Sequence, residues 1–316
     1  MTEVLPFPAL LSEPPLGERL AGLEDYLLSR IIGQDDAVHR LAGAVVDGEL
    51  ALNDRGPRPK GAFLLLGPTG VGKTESTKTF TEYLFGHRTP AMFFMNEHQQ
   101  EKSVLELVAG IRRAREQYPR GTVFLFDEIE KAHSAVIDLF LSLMDEGEVS
   151  DGAERIKLGD CYLVLTSNVG SKKFAQMEDS TYSVMEQYAF EAARRELRPE
   201  MFARLTETIV YRPLSQEVQV KILSQLCASK LEHLRKAMAK QLGLDPEEVP
   251  PLSIDEKAVR AHLLRTGFSN TGGARRLRQE LDRQFNRAVR PWLLNGEAPA
   301  EWRFAADGKR NCLVLL

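Results

Sequence analysis

Residues 61–86 read GAFLLLGPTGVGKTESTKTFTEYLFG, and their order decides the fold. Gly61 to Leu66 is apolar without alternation, the pattern of a strand buried on both faces. Gly67-Pro-Thr-Gly-Val-Gly-Lys73-Thr74 follows and satisfies the GxxxxGK[ST] spacing. Glycines at that spacing let consecutive backbone N–H groups point into one concavity, and the helix that follows turns its positive end to the same place. A structural glycine turn is the alternative reading of such a run. The strand before it and the helical stretch after it argue for phosphate binding instead. On that reading Pro68, Thr69, Gly70, Val71 and Gly72 form the cradle, Lys73 contacts the β- and γ-phosphates, and Thr74 ligates Mg²⁺.

Downstream, the apolar run Thr122–Phe126 ends in Asp127-Glu128. A carboxylate at the end of a buried strand can hold Mg²⁺ through water, which suits Asp127, and Glu128 can then polarise an attacking water as general base. Taken alone the pair would be a solvated turn; the glycine loop upstream gives it chemistry. A third run, Cys161–Leu165, ends in Thr166-Ser167-Asn168. Asn168 there either orients the lytic water and senses the γ-phosphate or is an ordinary strand-end turn. With Met92–Met95 these runs alternate with helical or polar stretches, which predicts an α/β fold: a parallel sheet with helices on both faces.

Outward from this centre the chain divides. Residues 1–17 hold four prolines and read as a linker or tether, and 18–212 form the large α/β nucleotide-binding domain. After Pro213 the pattern turns helical. It predicts a long amphipathic helix over Ser215–Leu242, a second opened by a capping box at Ser253–Glu256 and stopping near Gly267, and a third over Gly273–Arg290 ended by Pro291. A hairpin about Asp307-Gly308 closes a small, mostly helical domain over 213–316. Asn53–Lys60 reads as a turn-rich loop. A chain of 316 residues suits two such domains.

Composition excludes several classes of function. Lys and Arg number 41 against 45 Asp and Glu, so a net charge of −4 argues against nucleic acid as partner. The longest apolar runs are far too short to span a bilayer, and the N-terminus lacks the basic start of a secretory signal. Cys161, Cys227 and Cys312 form no metal or redox pattern and read as buried thiols of a cytoplasmic protein. Residues 213–316 carry 17 basic against 12 acidic side chains, net +5, which leaves −9 on residues 1–212. That split is either an accident of surface composition or the sign of a head-to-tail contact between copies.

Taken together, these residues resemble the AAA+ ATPases of the Clp/heat-shock disaggregase family, specifically the second ATPase module of its two-ring members. The resemblance runs from about Arg30 to Leu316 and rests on several motifs in order. They are Ile32–Val38, Phe63–Thr74, Asp127-Glu-Ile-Glu-Lys-Ala-His133, Thr166-Ser-Asn168, Leu197–Arg204 and Gly273-Ala-Arg275. It implies a helical lid for the second domain, Mg²⁺ and ATP as ligands, and a ring, usually six-membered, whose sites are shared between copies of the chain. It implies further that Ile32 and Gly33 cradle adenine, that Arg204 is an arginine finger reaching the neighbour's site, and that Arg275 contacts the γ-phosphate from the lid. Without the resemblance both arginines would be surface residues.

The departures carry equal weight. The family grips polypeptide with an aromatic–hydrophobic–glycine tripeptide in a pore loop, expected here between Lys102–Gly110 and Thr122. Ile111–Gly121 has no such tripeptide, and its lone aromatic, Tyr118, reads as a packing residue. A second pore loop, expected over Ser150–Gly159, has no aromatic, and no tripeptide that docks a peptidase ring is found. The expectation is an ATP hydrolase that remodels a protein substrate or assembly without standard threading and without a peptidase partner. A nucleotide-gated scaffold or switch is the alternative, and a nucleic-acid motor, suggested by the arginines of 275–290, is a distant third.

Overall fold

The computed structural model describes residues 15–316 except 53–55, 153, 175–176, 178–179, 246, 248, 268–272, 297–298 and 300. Residues 1–14 of the expected tether and 53–55 of the expected loop lie outside the described residues. Two short helices, α1 (Leu16–Ala21) and α2 (Leu23–Leu28), precede α3 (Asp35–Glu49), so helix has already begun at Leu16. β1 (Gly61–Leu66) runs through the glycine loop into α4 (Lys73–Phe85). β2 (Ala91–Phe94), α5 (Ser103–Gln117) and β3 (Val123–Asp127) follow, and a 3-10 turn over Ile129–Lys131 leads to α6 (Ser134–Glu146). A hairpin of β4 (Glu148–Asp151) and β5 (Glu154–Lys157) comes before β6 (Tyr162–Ser167). Next are α7 (Ser171–Phe174), α8 (Tyr182–Glu196), α9 (Pro199–Phe202) and β7 (Glu207–Val210). The remainder is α10 (Gln216–Leu242), β8 (Ser253–Ile254), α11 (Glu256–Gly267), α12 (Gly273–Asn295), β9 (Arg303–Asp307) and β10 (Cys312–Leu315).

Five strands form one parallel sheet in the order β2-β3-β6-β1-β7. Alternate residues of each strand face opposite layers, because side chains project with a period of two. Leu64, Leu66, Phe124, Phe126, Leu163 and Leu165 pack with α5, α6 and α8. Phe63, Leu65, Val123, Leu125, Tyr162 and Val164 pack on the other face with α2, α3 and α4. Each fully buried Leu or Phe contributes about 1.5–3 kcal/mol relative to exposure, so the sheet is held from both sides. A third apolar cluster, Leu223 to Leu315, joins α10, α11 and α12 to the sheet β10-β9-β8. All three cysteines are buried and unpaired, and burial pushes the Cys161 thiol up to about 12. Among the described residues no helix is long and apolar enough to cross a membrane.

Three local expectations are corrected. Pro291 does not end α12, which continues to Asn295 because Trp292 and Leu293 pack on the third cluster and hold the last turn. Ser253 lies in β8 rather than capping α11; Asp255 does so, its carboxylate accepting the Ala258 N–H at 3.1 Å. The segment 148–157, within which a second pore loop was expected to start, is the β4–β5 hairpin, tied to α5 by Arg112 pairing with Asp151 and Glu154 at 2.8 and 3.0 Å.

Candidate functional site

Register decides which side chains meet. Leu66 of β1 lies opposite Ser167 of β6 and Val210 of β7, while Phe126 of β3 lies opposite Leu165 of β6. The carboxyl ends of β3, β6, β1 and β7 therefore form one edge, from which Asp127, Asn168, Gly67 and Tyr211 emerge. In open parallel sheets this edge is where ligands bind.

The loop after β1 is shaped by its glycines. Gly67, Gly70 and Gly72 have φ of 142°, 77° and 118°, values that side-chain-bearing residues avoid. A Cβ on Gly67 would lie 2.5 Å from the Tyr211 carbonyl oxygen, so the loop's first residue has no room for any other amino acid. The loop is also gripped from outside. Its Gly70 carbonyl accepts the Ala274 N–H from the start of α12 at 3.0 Å. Its Val71 carbonyl accepts from Gln34 Nε2 at 3.0 Å. Gln34, buried, also donates to the Arg212 carbonyl and accepts the Arg212 N–H, both at 2.9 Å.

Lys73 opens α4 and is buried among oxygens. Its Nζ donates to the Gly67 carbonyl, to the Pro68 carbonyl at 2.8 Å and to Asn168 Oδ1 at 2.9 Å. Burial lowers this ammonium from its usual value to about 8, opposed most by the nearby Asp127 carboxylate. Asn168 bridges onward, donating Nδ2 to Glu128 Oε1 at 2.9 Å, while its own N–H donates to Glu130 Oε1 at 3.1 Å. Asp127 Oδ1 accepts from Thr166 Oγ1 at 2.6 Å, which follows from the β3–β6 register. Lys131 Nζ pairs with Glu128 Oε2, and that hydrogen bond raises the Lys131 pKa.

These groups border one cavity of about 340 Å³, within the range of small-molecule sites. Thr69 to Thr74, Asp127, Glu128, Asn168, Arg275 and Ile32 all line it. Gly33 lies just outside it against α10, where a Cβ would collide with Val218 at 2.6 Å. Pro68 contributes its carbonyl to Lys73 rather than a wall. Arg204 is away from the cavity: its Nε pairs with Asp145 and its Nη1 donates to the Glu200 carbonyl at 2.8 Å.

The sequence reading missed other members of the site. Leu214, Ile222 and Leu226 supply an apolar wall from α10 and the segment before it, and Arg30, Lys78 and Arg278 add positive charge. Gln34 sits inside the quoted motif Ile32–Val38, yet its partners lie 37 and 178 residues away, so nothing local signals its role. Glu130 was equally visible inside Asp127–His133, and its spacing from Glu128 was the available signal. The cradle, the buried ammonium and the positive rim fit a polyphosphate, and Thr74 and Asp127 fit a hard cation. Among the described residues no group of three or more His, Cys, Asp or Glu forms a metal cage.

A sequence model described as AAA domain (Cdc48 subfamily) matches residues 58–208. The chain is 33% identical over 296 residues to the chaperone protein ClpB of Meiothermus ruber, covering 89% of this chain and 33% of that protein. It is 30% identical over 301 residues to the mitochondrial chaperone protein ClpB3 of Oryza sativa subsp. japonica, covering 89% and 29%. The chain thus spans about a third of the length of the curated relatives it matches. Among solved structures, the S. cerevisiae Hsp104–ADP complex shares the fold with a TM-score of 0.77 at 22% identity, over 96% of this chain and 53% of that one.

Proposed function

We propose, from the match of residues 58–208 to the AAA-domain model, that the chain is a Mg·ATP-dependent ATPase. It works in an oligomeric ring, usually of six copies in this family, to remodel a protein substrate or assembly. The observation that carries this reading is a single cavity bordered by the glycine loop, Asp127, Glu128, Asn168 and Arg275, which come from four separate stretches of chain. Backbone N–H groups of Thr69–Gly72 and the start of α4 bind phosphate oxygens, with Lys73 as the buried cation between them. Thr74 and Asp127 hold Mg²⁺, which when bound supplies charge neutralisation on the phosphates. Glu128 takes the proton of the attacking water, and Asn168, hydrogen-bonded to Glu128 and Lys73, orients it. The apolar wall of Ile32, Leu214, Ile222 and Leu226 receives the base.

Residues 18–212 act as the catalytic domain and 213–316 as its lid. The Ala274 N–H on the Gly70 carbonyl supports that division of labour, since it ties the start of α12 to the phosphate loop. Arg275 is the lid arginine. Arg204, held outside its own cavity by Asp145, is the finger offered to a neighbouring copy. Such fingers are worth about 10³–10⁵ in rate in other nucleotidases.

One observation favours the switch reading as the second possibility. α5 runs unbroken to Gln117, and Tyr118 stacks on His87 with ring centroids 4.3 Å apart. The stretch expected to carry a gripping aromatic is therefore helix and packed ring, which favours docking of a partner over threading of a substrate. Replacing Glu128 by glutamine tests the catalytic reading. The variant should bind ATP as the parent does while turnover falls by about 10²–10⁴; turnover near the parent's would remove Glu128 as the base. A parent chain that binds but never hydrolyses ATP, even with partners present, would favour the switch.

A further inference from the structure

Glu128 occupies the left-handed region, φ 61° and ψ 56°, where residues other than glycine are uncommon. The 3-10 turn Ile129–Lys131 follows directly, and in such a turn residues three apart eclipse one another. Accordingly the Lys131 N–H donates to the Glu128 carbonyl at 2.9 Å, and the Lys131 side chain stands over that of Glu128. The turn cannot drift. Ile129 is fully buried within it, and just beyond it the His133 N–H donates to the His98 carbonyl at 2.9 Å. The Glu128 carboxylate is thus held by two donors, Asn168 Nδ2 on Oε1 and Lys131 Nζ on Oε2. Among the described residues Lys131 forms no other ion pair.

We propose that Lys131 is a positioning residue that holds the Glu128 carboxylate back from the reacting water and so restrains idle turnover. The proposal rests on the reading of Glu128 as the base. Two donors on opposite oxygens fix the carboxylate's rotation, and the stronger of them is the charge-assisted one. Rotating the carboxylate away from this orientation requires the ammonium to let go. The Lys131 side chain is 46% exposed and that of Glu128 29%, so the restraint is weak enough to be broken in each cycle.

Lys131→Met removes the donor and keeps the length of the side chain. Its kcat should rise by about 1.4- to fivefold, the range that a pair this exposed supplies, with KM unchanged. Lys131→Arg, which keeps a cation over Glu128, should suppress that gain. A second readout needs no turnover: in the chain without nucleotide, the ¹⁵N-detected Lys131 ammonium signal, assigned by its loss in Lys131→Met, should shift in Glu128→Gln. A kcat for Lys131→Met that is unchanged or lower, or an ammonium signal indifferent to Glu128→Gln, would overturn the proposal. Glu128→Gln separates the two ideas. If that variant hydrolyses ATP at the parent rate, the base assignment has failed. If it is inactive while Lys131→Met matches the parent, only the restraint has failed.

Discussion

Replacing Gln34 by leucine would keep a side chain of similar volume while removing three hydrogen bonds, one buried and two part-buried. Gln34 Nε2 donates to the Val71 carbonyl at 3.0 Å and to the Arg212 carbonyl at 2.9 Å, and Oε1 accepts the Arg212 N–H at 2.9 Å. The residue is 2% exposed, so water cannot take over those partners without a local rearrangement. A buried backbone group left without a partner costs about 1–3 kcal/mol, so simple addition over three groups gives an upper range of about 3–9 kcal/mol, lessened because the two Arg212 groups are part-buried. Relaxation and the apolar gain of leucine bring the expected loss to the lower end, about 3 kcal/mol. Both tryptophans, Trp292 and Trp302, lie at the third apolar cluster and would report that part alone, so urea unfolding should be followed by far-ultraviolet circular dichroism. The midpoint should fall with the slope unchanged, and ATP affinity should fall with it because Val71 belongs to the phosphate loop. Gln34→Glu sharpens the test: it keeps the acceptor for Arg212 N–H but points a second acceptor at two carbonyls, so it should be at least as destabilising at neutral pH. A loss below about 1 kcal/mol for leucine would refute the claim that Gln34 fastens the loop to the strand end.

Two further outcomes are expected. Lys73 titrates near 8 in the folded chain against 10.5 unfolded, so between those values the unfolded chain binds more protons and stability without nucleotide should rise with pH. Over the same window ATP affinity should fall as the cation is lost, a limb that Lys73→Arg should flatten; titration calorimetry from pH 6 to 10 checks both. Pro291→Ala should stabilise α12 by about 2–2.6 kcal/mol, because an interior proline costs about 3 kcal/mol against alanine and returns about 0.4–1 through the unfolded chain. Tryptophan-detected melting reads that gain directly.

Much of the centre was legible because its determinants are local. Strands buried on both faces read as unbroken apolar runs, and β1, β3 and β6 lie where Ala62–Leu66, Thr122–Phe126 and Cys161–Leu165 pointed. The glycine loop, the carboxylates and Asn168 follow those runs, so parallel register alone carried them to one edge. What escaped notice was short or non-local. β7, Glu207-Thr-Ile-Val210, is a half-polar edge strand of four residues with no run to read. The β4–β5 hairpin is as polar as a loop, and Arg112 of α5 pairs with it from a distant stretch of chain. Pro291 misled because tertiary packing of Trp292 and Leu293 outweighs a local break signal. The apolar wall from α10 and the clasp of Gln34 exist only once residues far apart in sequence have met.

In the proposed ring, ATP is hydrolysed at a site that a second copy of the chain completes through Arg204. ATPase rate per subunit, measured across a hundredfold range of protein concentration with Arg204→Ala alongside, tests it most directly. The rate should rise steeply with concentration, and the variant should abolish that rise while still binding ATP. A rate per subunit that stays constant, or a rise that Arg204→Ala retains, would contradict it.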